Sequence, residues 1–263
     1  MRNKEVLFPH FSQEEHPFVE RALDWIDQVI HRQRPYLTSF LDPRQQQIVK
    51  MLAQRESDLR LEAEGGYPEA ERRRLLLLPL FQTAEEGDFQ LAFLRLDYPT
   101  QSRVEHRDIL GSLLGLGIKR TLFGDILIHK NSNQTDLIVA AEIADYVLLH
   151  LTHVGRTKIR IKKIEQEELI IPPRSFETWK VSVASLRVDT IVAEGFRLSR
   201  SKAVQLIRNG KCQVNWRPID NPATPIQVED MISICGAGRI YVLGIEGVSR
   251  KKRIQVQLGK IKD

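Results

Sequence analysis

Apolar residues in the first part of the chain recur at helical spacing. Ser12 and Glu15 make a capping-box pair, and Phe18, Ala22, Trp25, Ile26, Val29 and Ile30 follow at steps of three and four, which predicts an amphipathic helix with one buried face. Asp42-Pro43 with Gln45 predicts a second helix start, carrying Ile48, Met51 and Leu52 on one side. A polar stretch then leads to Gly65-Gly66-Tyr67-Pro68, a turn that reads as a domain boundary. From about Arg72 the pattern shortens. Leu75–Phe81 and Phe89–Leu96 read as strands around Glu86-Gly87-Asp88, followed by a helix from Val104 to Leu116 that stops at Gly117. Strands at Ile126–His129 and Leu137–Ala140, a helix at Ile143–Leu151 and an alternating strand at Arg156–Ile164 complete this region. Apart from one leading strand, the order strand-helix-strand-strand-helix-strand predicts an α+β sandwich of the ferredoxin or RNA-recognition-motif (RRM) kind. Gly111, Gly115 and Gly117 are expected to let its helix pack closely on the sheet.

Pro172-Pro173 forms a stiff hinge before a last module. Ser185 is expected to cap a short helix with Val188, Ile191 and Val192 as its apolar stripe, Arg187 on its exposed side, and Gly195 at its end. A second helix runs from the N-cap Ser199 to the stop at Gly210, burying Ala203, Leu206 and Ile207. Lys211–Asn215 then reads as a strand, Trp216-Arg217-Pro218 as a turn and Met231–Ile234 as a return strand. The fold class is therefore α+β: a helical N-terminal region over 1–70, an RRM-like middle domain over 71–171, a small α+β module of αL type over 182–246, and a basic strand or tail over 247–263.

Composition adds a partner. The net charge of +5 over 263 residues hides an asymmetry, because the residues from Arg174 onward hold 16 Lys and Arg against 8 Asp and Glu, leaving the rest of the chain slightly acidic. A basic module on an acidic body points to a polyanion. No apolar run reaches the length of a membrane span, and Met1-Arg-Asn-Lys-Glu5 has no apolar signal core, so a cytoplasmic protein without a membrane partner is expected. Cys212 and Cys235 are too far apart for a paired metal motif and read as small residues of a reducing compartment.

The charge is misplaced in one informative position. Arg200 and Lys202 fall in the first turn of the second helix, where unpaired amides carry partial positive charge and cations are unfavourable unless an anion covers them. A phosphate fits that requirement. Arg200, Val204 and Arg208 follow at four-residue steps, so Arg200 and Arg208 are expected to meet one ligand, whereas Lys202 lies roughly 160° around the helix from Arg200.

These residues carry a family resemblance. Leu186-Arg187-Val188-Asp189, Ser199-Arg200-Ser201-Lys202-Ala203, Leu206-Ile207-Arg208-Asn209-Gly210-Lys211, Val214-Asn215 and Val228-Glu229-Asp230-Met231-Ile232 closely resemble the RNA-binding domain named after ribosomal protein S-four. The resemblance implies binding of structured RNA through Arg187, Arg197, Ser199, Arg200, Lys202, Arg208, Asn209 and Lys211. Trp216 and Glu229 stand where that family often has glycine. Trp216 reads as a cover for the core or a base-stacking residue, and Glu229 repels phosphate, so its loop is not expected to be a contact.

Phe40-Leu41-Asp42-Pro43-Arg44-Gln45-Gln46, Gly66-Tyr67-Pro68-Glu69-Ala70-Glu71-Arg72, and His106–Arg120 with Phe123-Gly124-Asp125-Ile126 extend the resemblance over nearly the whole chain, to the YlmH-type family and its cyanobacterial and plastid photosystem II S-four domain branch. It implies association with the ribosome and a structured ribosomal or transfer RNA as partner, with no DNA expected. The usual aromatic stacking motif of RNA-recognition sheets is absent from the middle region.

Catalytic patterns are weak. Arg95-Leu96-Asp97 matches the tripeptide of pseudouridine synthases that bear the same RNA-binding module, but the match is short, the module stands at the opposite end of the chain and no large catalytic domain has room; Asp97 is expected to cap a turn. A basic adaptor for acidic proteins is a further alternative. His106, Arg107 and Asp108 share one helical turn without a nucleophile, and His150 and His153, three apart, could share a helix face. No nucleotide-binding glycine loop is complete, so no cofactor and no metal are expected.

Overall fold

The computed structural model describes residues 8–129, 132–173, 175–248 and 253–261. Met1–Glu5, on which the reading of the N-terminus rests, and 249–252 of the basic tail lie outside the described residues. Two compact units divide between Pro172 and Pro173.

The first unit opens with α1 (His16–Arg32), β1 (Tyr36–Leu37), α2 (Pro43–Ala53), β2 (Leu59–Glu64) and β3 (Arg74–Pro79). The capping signal of α2 acts as written in the sequence. Asp42 Oδ1 accepts from the Gln45 N–H at 2.8 Å with Pro43 at the first helical position, whereas the Ser12–Glu15 pair closes a short 3-10 turn (Gln13–Glu15) ahead of α1, with the Ser12 N–H donating to Glu15 Oε2 at 2.9 Å and the Ser12 Oγ without a partner among the described residues. Arg44 Nε donates to Glu15 Oε1 at 2.6 Å, tying α2 to the start of α1. Both helices bury Val19, Ile26, Ile48 and Val49 with Leu75 and Leu77 of β3.

The N-terminal region is therefore not helical alone, since β1, β3 and β2 form an antiparallel sheet in that order. The strand expected to lead the middle domain is the centre of this sheet, and the Gly65–Pro68 turn lies inside its β2–β3 connection. The reason is burial. Every residue of β3 is buried, and a strand covered on both faces reads as a continuous apolar run that names no partner.

The middle of the unit comprises β4 (Leu91–Asp97), α3 (His106–Gly115), β5 (Phe123–His129), β6 (Gln134–Ala140), α4 (Ala141–His150), the hairpin of β7 (His153–Val154) and β8 (Thr157–Lys158), and β9 (Arg160–Ile164). Its antiparallel sheet runs β5-β6-β4-β9, the order expected of an RRM-like sandwich. Leu94, Leu96, Leu137 and Val139 face Ile109 and Leu113 of α3 and Ala144 and Val147 of α4. Gly111, Gly115 and Gly117 do not serve that packing. An added Cβ at any of them meets nothing within 4 Å, and Gly117, at φ +79°, instead provides the left-handed stop after α3.

The second unit contains β10 (Phe176–Val183), α5 (Val188–Gly195), α6 (Arg200–Arg208), β11 (Cys212–Val214), β12 (Arg217–Ile219), β13 (Met231–Ile234), β14 (Gly238–Val248) and β15 (Ile254–Ile261), with sheet order β10-β15-β14-β13-β11-β12. Ile191, Val192, Ala203 and Ile207 of the helices pack with Ile232, Ile234 and Ile240 of the sheet. The strand expected as a tail is an interior one: β15 pairs with β10 on one side and β14 on the other and buries Val256 and Leu258 completely. Arg187, not Ser185, occupies the N-cap of α5. Cys212 is buried, which pushes its thiol up to about 12, while Cys235 is exposed just past β13. No helix among the described residues is long and apolar enough to cross a membrane.

Candidate RNA-binding surface

The start of α5 and the first turn of α6 bring two arginines, Arg187 and Arg200, onto one carboxylate. Ser199 caps α6 as expected, its Oγ accepting from the Lys202 N–H at 3.2 Å. Arg200 then turns toward α5. Its Nε and Nη2 donate to Asp189 Oδ2 at 3.2 and 3.0 Å, while Arg187 Nε donates to Asp189 Oδ1 at 3.1 Å. The Asp189 side chain is 2% exposed; the two arginine side chains are 41% and 64% exposed, so the carboxylate lies beneath two outward cations. Burial alone raises the Asp189 pKa, yet the hydrogen bonds and charges of Arg200 and Arg187 hold it below its ordinary value.

This arrangement changes the reading of Arg200. The anion over the α6 N-terminus is in the first instance the protein's own carboxylate, and Arg200 is grouped with Arg187 rather than with Arg208. One negative charge under two positive ones leaves a net cation whose guanidinium planes are held in place. Guanidinium groups not used on Asp189 keep N–H donors of the geometry that suits carboxylate or phosphate oxygens. Asp189 was missed as a functional position in the sequence. The available signal was an acid in the first turn of α5, a position that helix electrostatics favours, two residues after Arg187.

Arg197 is exposed at φ +54°, just past the end of α5, where glycine is the relaxed choice. Lys202 is exposed and reaches Gln205 Oε1 at 3.2 Å. Arg208, Asn209 and Lys211 are exposed around the other end of α6, and neither Arg208 nor Lys211 has a carboxylate partner among the described residues. The two groups are separated by the length of α6, about 13 Å for nine residues. Arg253, the described end of the basic tail, is not free for phosphate: it donates to the Ser182 carbonyl and lies 3.5 Å from Glu194 Oε1.

The two departures from the S-four pattern fall on strained backbone. Asn215 at φ +50° and Trp216 at φ +63° form the two-residue loop between Val214 and Arg217, one position earlier than the expected turn, and Glu229 stands at φ +75°. Mirror-type hairpin loops need positive φ at both central residues, which is the reason for glycine there. The Trp216 ring lies 5.7 Å from the Arg239 guanidinium, and its buried indole nitrogen has no hydrogen-bond partner among the described residues.

In the middle domain, the sheet face opposite the helices is covered. Phe93, Leu127, Ile138 and Ile164 pack with Phe40, Tyr67 and Leu169, and a Cβ on Gly66 falls 2.7 Å from the Phe93 ring. Beside them Arg95 donates to both oxygens of the fully buried Asp136 at 2.7 and 2.8 Å, and His129 Nε2 lies 3.3 Å from the same carboxylate. Burial lowers the His129 pKa, with Asp136 opposing. No base can stack on a face so filled. The motifs that carried the longer resemblance meet at this junction: Asp125 accepts from the Tyr67 hydroxyl at 2.8 Å and from the Glu71 N–H at 2.6 Å, Arg72 Nη2 donates to the Phe40 carbonyl at 2.9 Å, and a Cβ on Gly124 reaches within 2.8 Å of Phe40.

The remaining candidates separate. Asp97 ends β4 and accepts from Gln134 Nε2 at 2.5 Å. Arg107 pairs with Glu105 at 3.1 Å, and Asp108 closes a capping box with Glu105. His150 ends α4 with its ring 4.4 Å from that of Tyr146, whereas His153 lies in β7, so they share no helix face.

Residues 14–80 match the family described as "YlmH, N-terminal", residues 84–168 the "Putative RNA-binding domain in YlmH", and residues 186–232 the "S4 domain". The chain is 38% identical over 251 residues to the Bacillus subtilis (strain 168) "Ribosome-associated protein quality control protein P2", covering 95% of this chain and 96% of that protein. It is also similar to the solved structure of "Cell division protein ylmH from Streptococcus pneumoniae", with a TM-score of 0.55 and 28% identity over 61% of this chain and 97% of that one.

Proposed function

This chain belongs to the YlmH family, and from that premise we propose that it is a non-enzymatic, ribosome-associated protein of the cytoplasm that grips structured ribosomal or transfer RNA by its backbone. The work divides along the chain: an N-terminal region that buttresses the RRM-like domain, and a C-terminal module that contacts RNA through Arg187, Arg197, Ser199, Arg200, Lys202, Arg208, Asn209 and Lys211. The observation that carries this reading is the pair of exposed arginines fixed by one buried carboxylate, Asp189, at one end of α6, with the exposed Arg208 and Lys211 at the other. The name of the Bacillus relative supports the ribosomal setting. Rigid guanidiniums lose little freedom on meeting phosphate, and they read no sequence.

Replacing Arg200 and Arg208 with alanine tests the assignment. Binding to labelled ribosomal RNA weakens across sequences and its salt dependence becomes shallower by roughly 0.7–0.9 per lost phosphate contact; an unchanged affinity and slope refute it.

A further inference from the structure

We propose that the outer edge of the middle domain, formed by the β7–β8 hairpin and β9, is a second contact for the RNA backbone; this rests on the RNA-binding reading above and assigns that domain the surface by which it binds. From His153 to Ile164 the chain carries Arg156, Lys158, Arg160, Lys162 and Lys163 and no Asp or Glu. All five cations are exposed. Lys163 Nζ pairs with Asp145 at 2.9 Å, but Arg156, Lys158, Arg160 and Lys162 have no carboxylate partner among the described residues.

The cations follow one another along the hairpin and the edge strand. β9 pairs with β4 on one side and ends the sheet on the other, so its outer backbone edge is unpaired. Arg160 and Lys162 are two residues apart on that strand, a spacing of about 6.6 Å, and project to the same side. Arg156 stands at the hairpin tip and Lys158 opposite His153. The hairpin is anchored, its Gly155 N–H donating to Ser112 Oγ of α3 at 3.3 Å.

Two features argue for a ligand over a merely solvated face. Lys162 stands in register with Arg95, whose own charge is taken by Asp136, so the residue opposite Lys162 offers it no carboxylate. Of the acids nearby, Asp97 stands opposite Arg160 but accepts from Gln134 and makes no ion pair with Arg160 among the described residues, Asp145 holds Lys163, and Glu165, Glu167 and Glu168 follow the end of β9. With the sheet face filled by Phe40, Tyr67 and Leu169, this edge is where a polyanion meets unpaired cations. A polyphosphate strand is the matching partner, since the edge offers four exposed cations without a carboxylate partner among the described residues.

The test uses the full-length chain and fluorescently labelled ribosomal RNA, with anisotropy measured across a potassium chloride series. A variant with Arg156, Lys158, Arg160 and Lys162 all changed to Gln is compared with the Arg200→Ala, Arg208→Ala variant, and thermal melting confirms that each is folded. The Gln variant is expected to lose about tenfold or more in affinity and to shallow the log–log salt slope by roughly 3, corresponding to four lost phosphate contacts. An unchanged affinity and slope, with the Arg200 and Arg208 variant still weakened, overturns the second contact and leaves the first reading standing. Failure of the unaltered chain to bind RNA overturns both. Displacement of the RNA by poly-glutamate at equal charge concentration overturns the assignment in favour of an acidic protein.

Discussion

Asp189 Oδ2 lies 3.0 Å from Arg200 Nη2, so the cation stranded in the first turn of α6 is compensated by an acid in the first turn of α5. Two helix N-termini thus share one ion pair. Asp189 sits where helix electrostatics favours an acid, and Arg200 tolerates an unfavourable position because that acid reaches it.

Changing Asp189 to Asn removes the buried charge but keeps the shape. The variant is expected to lose about 1–3 kcal/mol of stability, from charge-assisted hydrogen bonds lost and two arginines left to repel. RNA affinity falls as well, although the module becomes more positive, because the guanidiniums are no longer held. Denaturant melts and anisotropy on the same sample check both signs. A rise in affinity would show that net charge, not placement, controls binding.

Acid should weaken the two units through different groups. The Asp189 pKa is held below its ordinary 3.8, so its contribution is complete above that value and is lost as pH falls through the lower folded one. His129 works from a higher pH: burial holds its pKa below 6.5, so between the two values the unfolded chain binds a proton that the folded chain refuses, and stability declines as pH drops below about 6.5. Calorimetry from pH 7.5 to 4.5 should show the earlier decline in the first unit, and His129→Gln should flatten it.

Arg197 occupies left-handed backbone at φ +54°, which costs a non-glycine residue on the order of 1 kcal/mol. Arg197→Gly is therefore expected to raise the melting midpoint while weakening RNA binding. Opposite signs separate a residue kept for contact from one kept for the fold. A variant that binds RNA as tightly as the unaltered chain removes Arg197 from the interface.

Local signals were legible without coordinates. The Ser12–Glu15 and Asp42–Gln45 caps, the Ser199 cap, the Gly117 and Gly210 stops and the element order of the middle domain are each written in a few neighbouring residues, because capping and periodicity act over one or two turns. The same local grammar identified the basic module. It could not say which sheet Leu75–Leu78 would join, since a run buried on both faces has no polar side to name its partner. Nor could it show that β15 lies inside a sheet, that Phe40 and Tyr67 fill the face an RNA base would need, or that Asp189 lies under Arg187 and Arg200. Those relations join residues distant in the chain and are decided by what must be buried together. Sequence by itself determined the principal helices, the element order of the middle domain and the presence of an RNA-binding module; tertiary structure decided which cations are held in place and which surface remains open, because pairing of strands and charges depends on long-range packing.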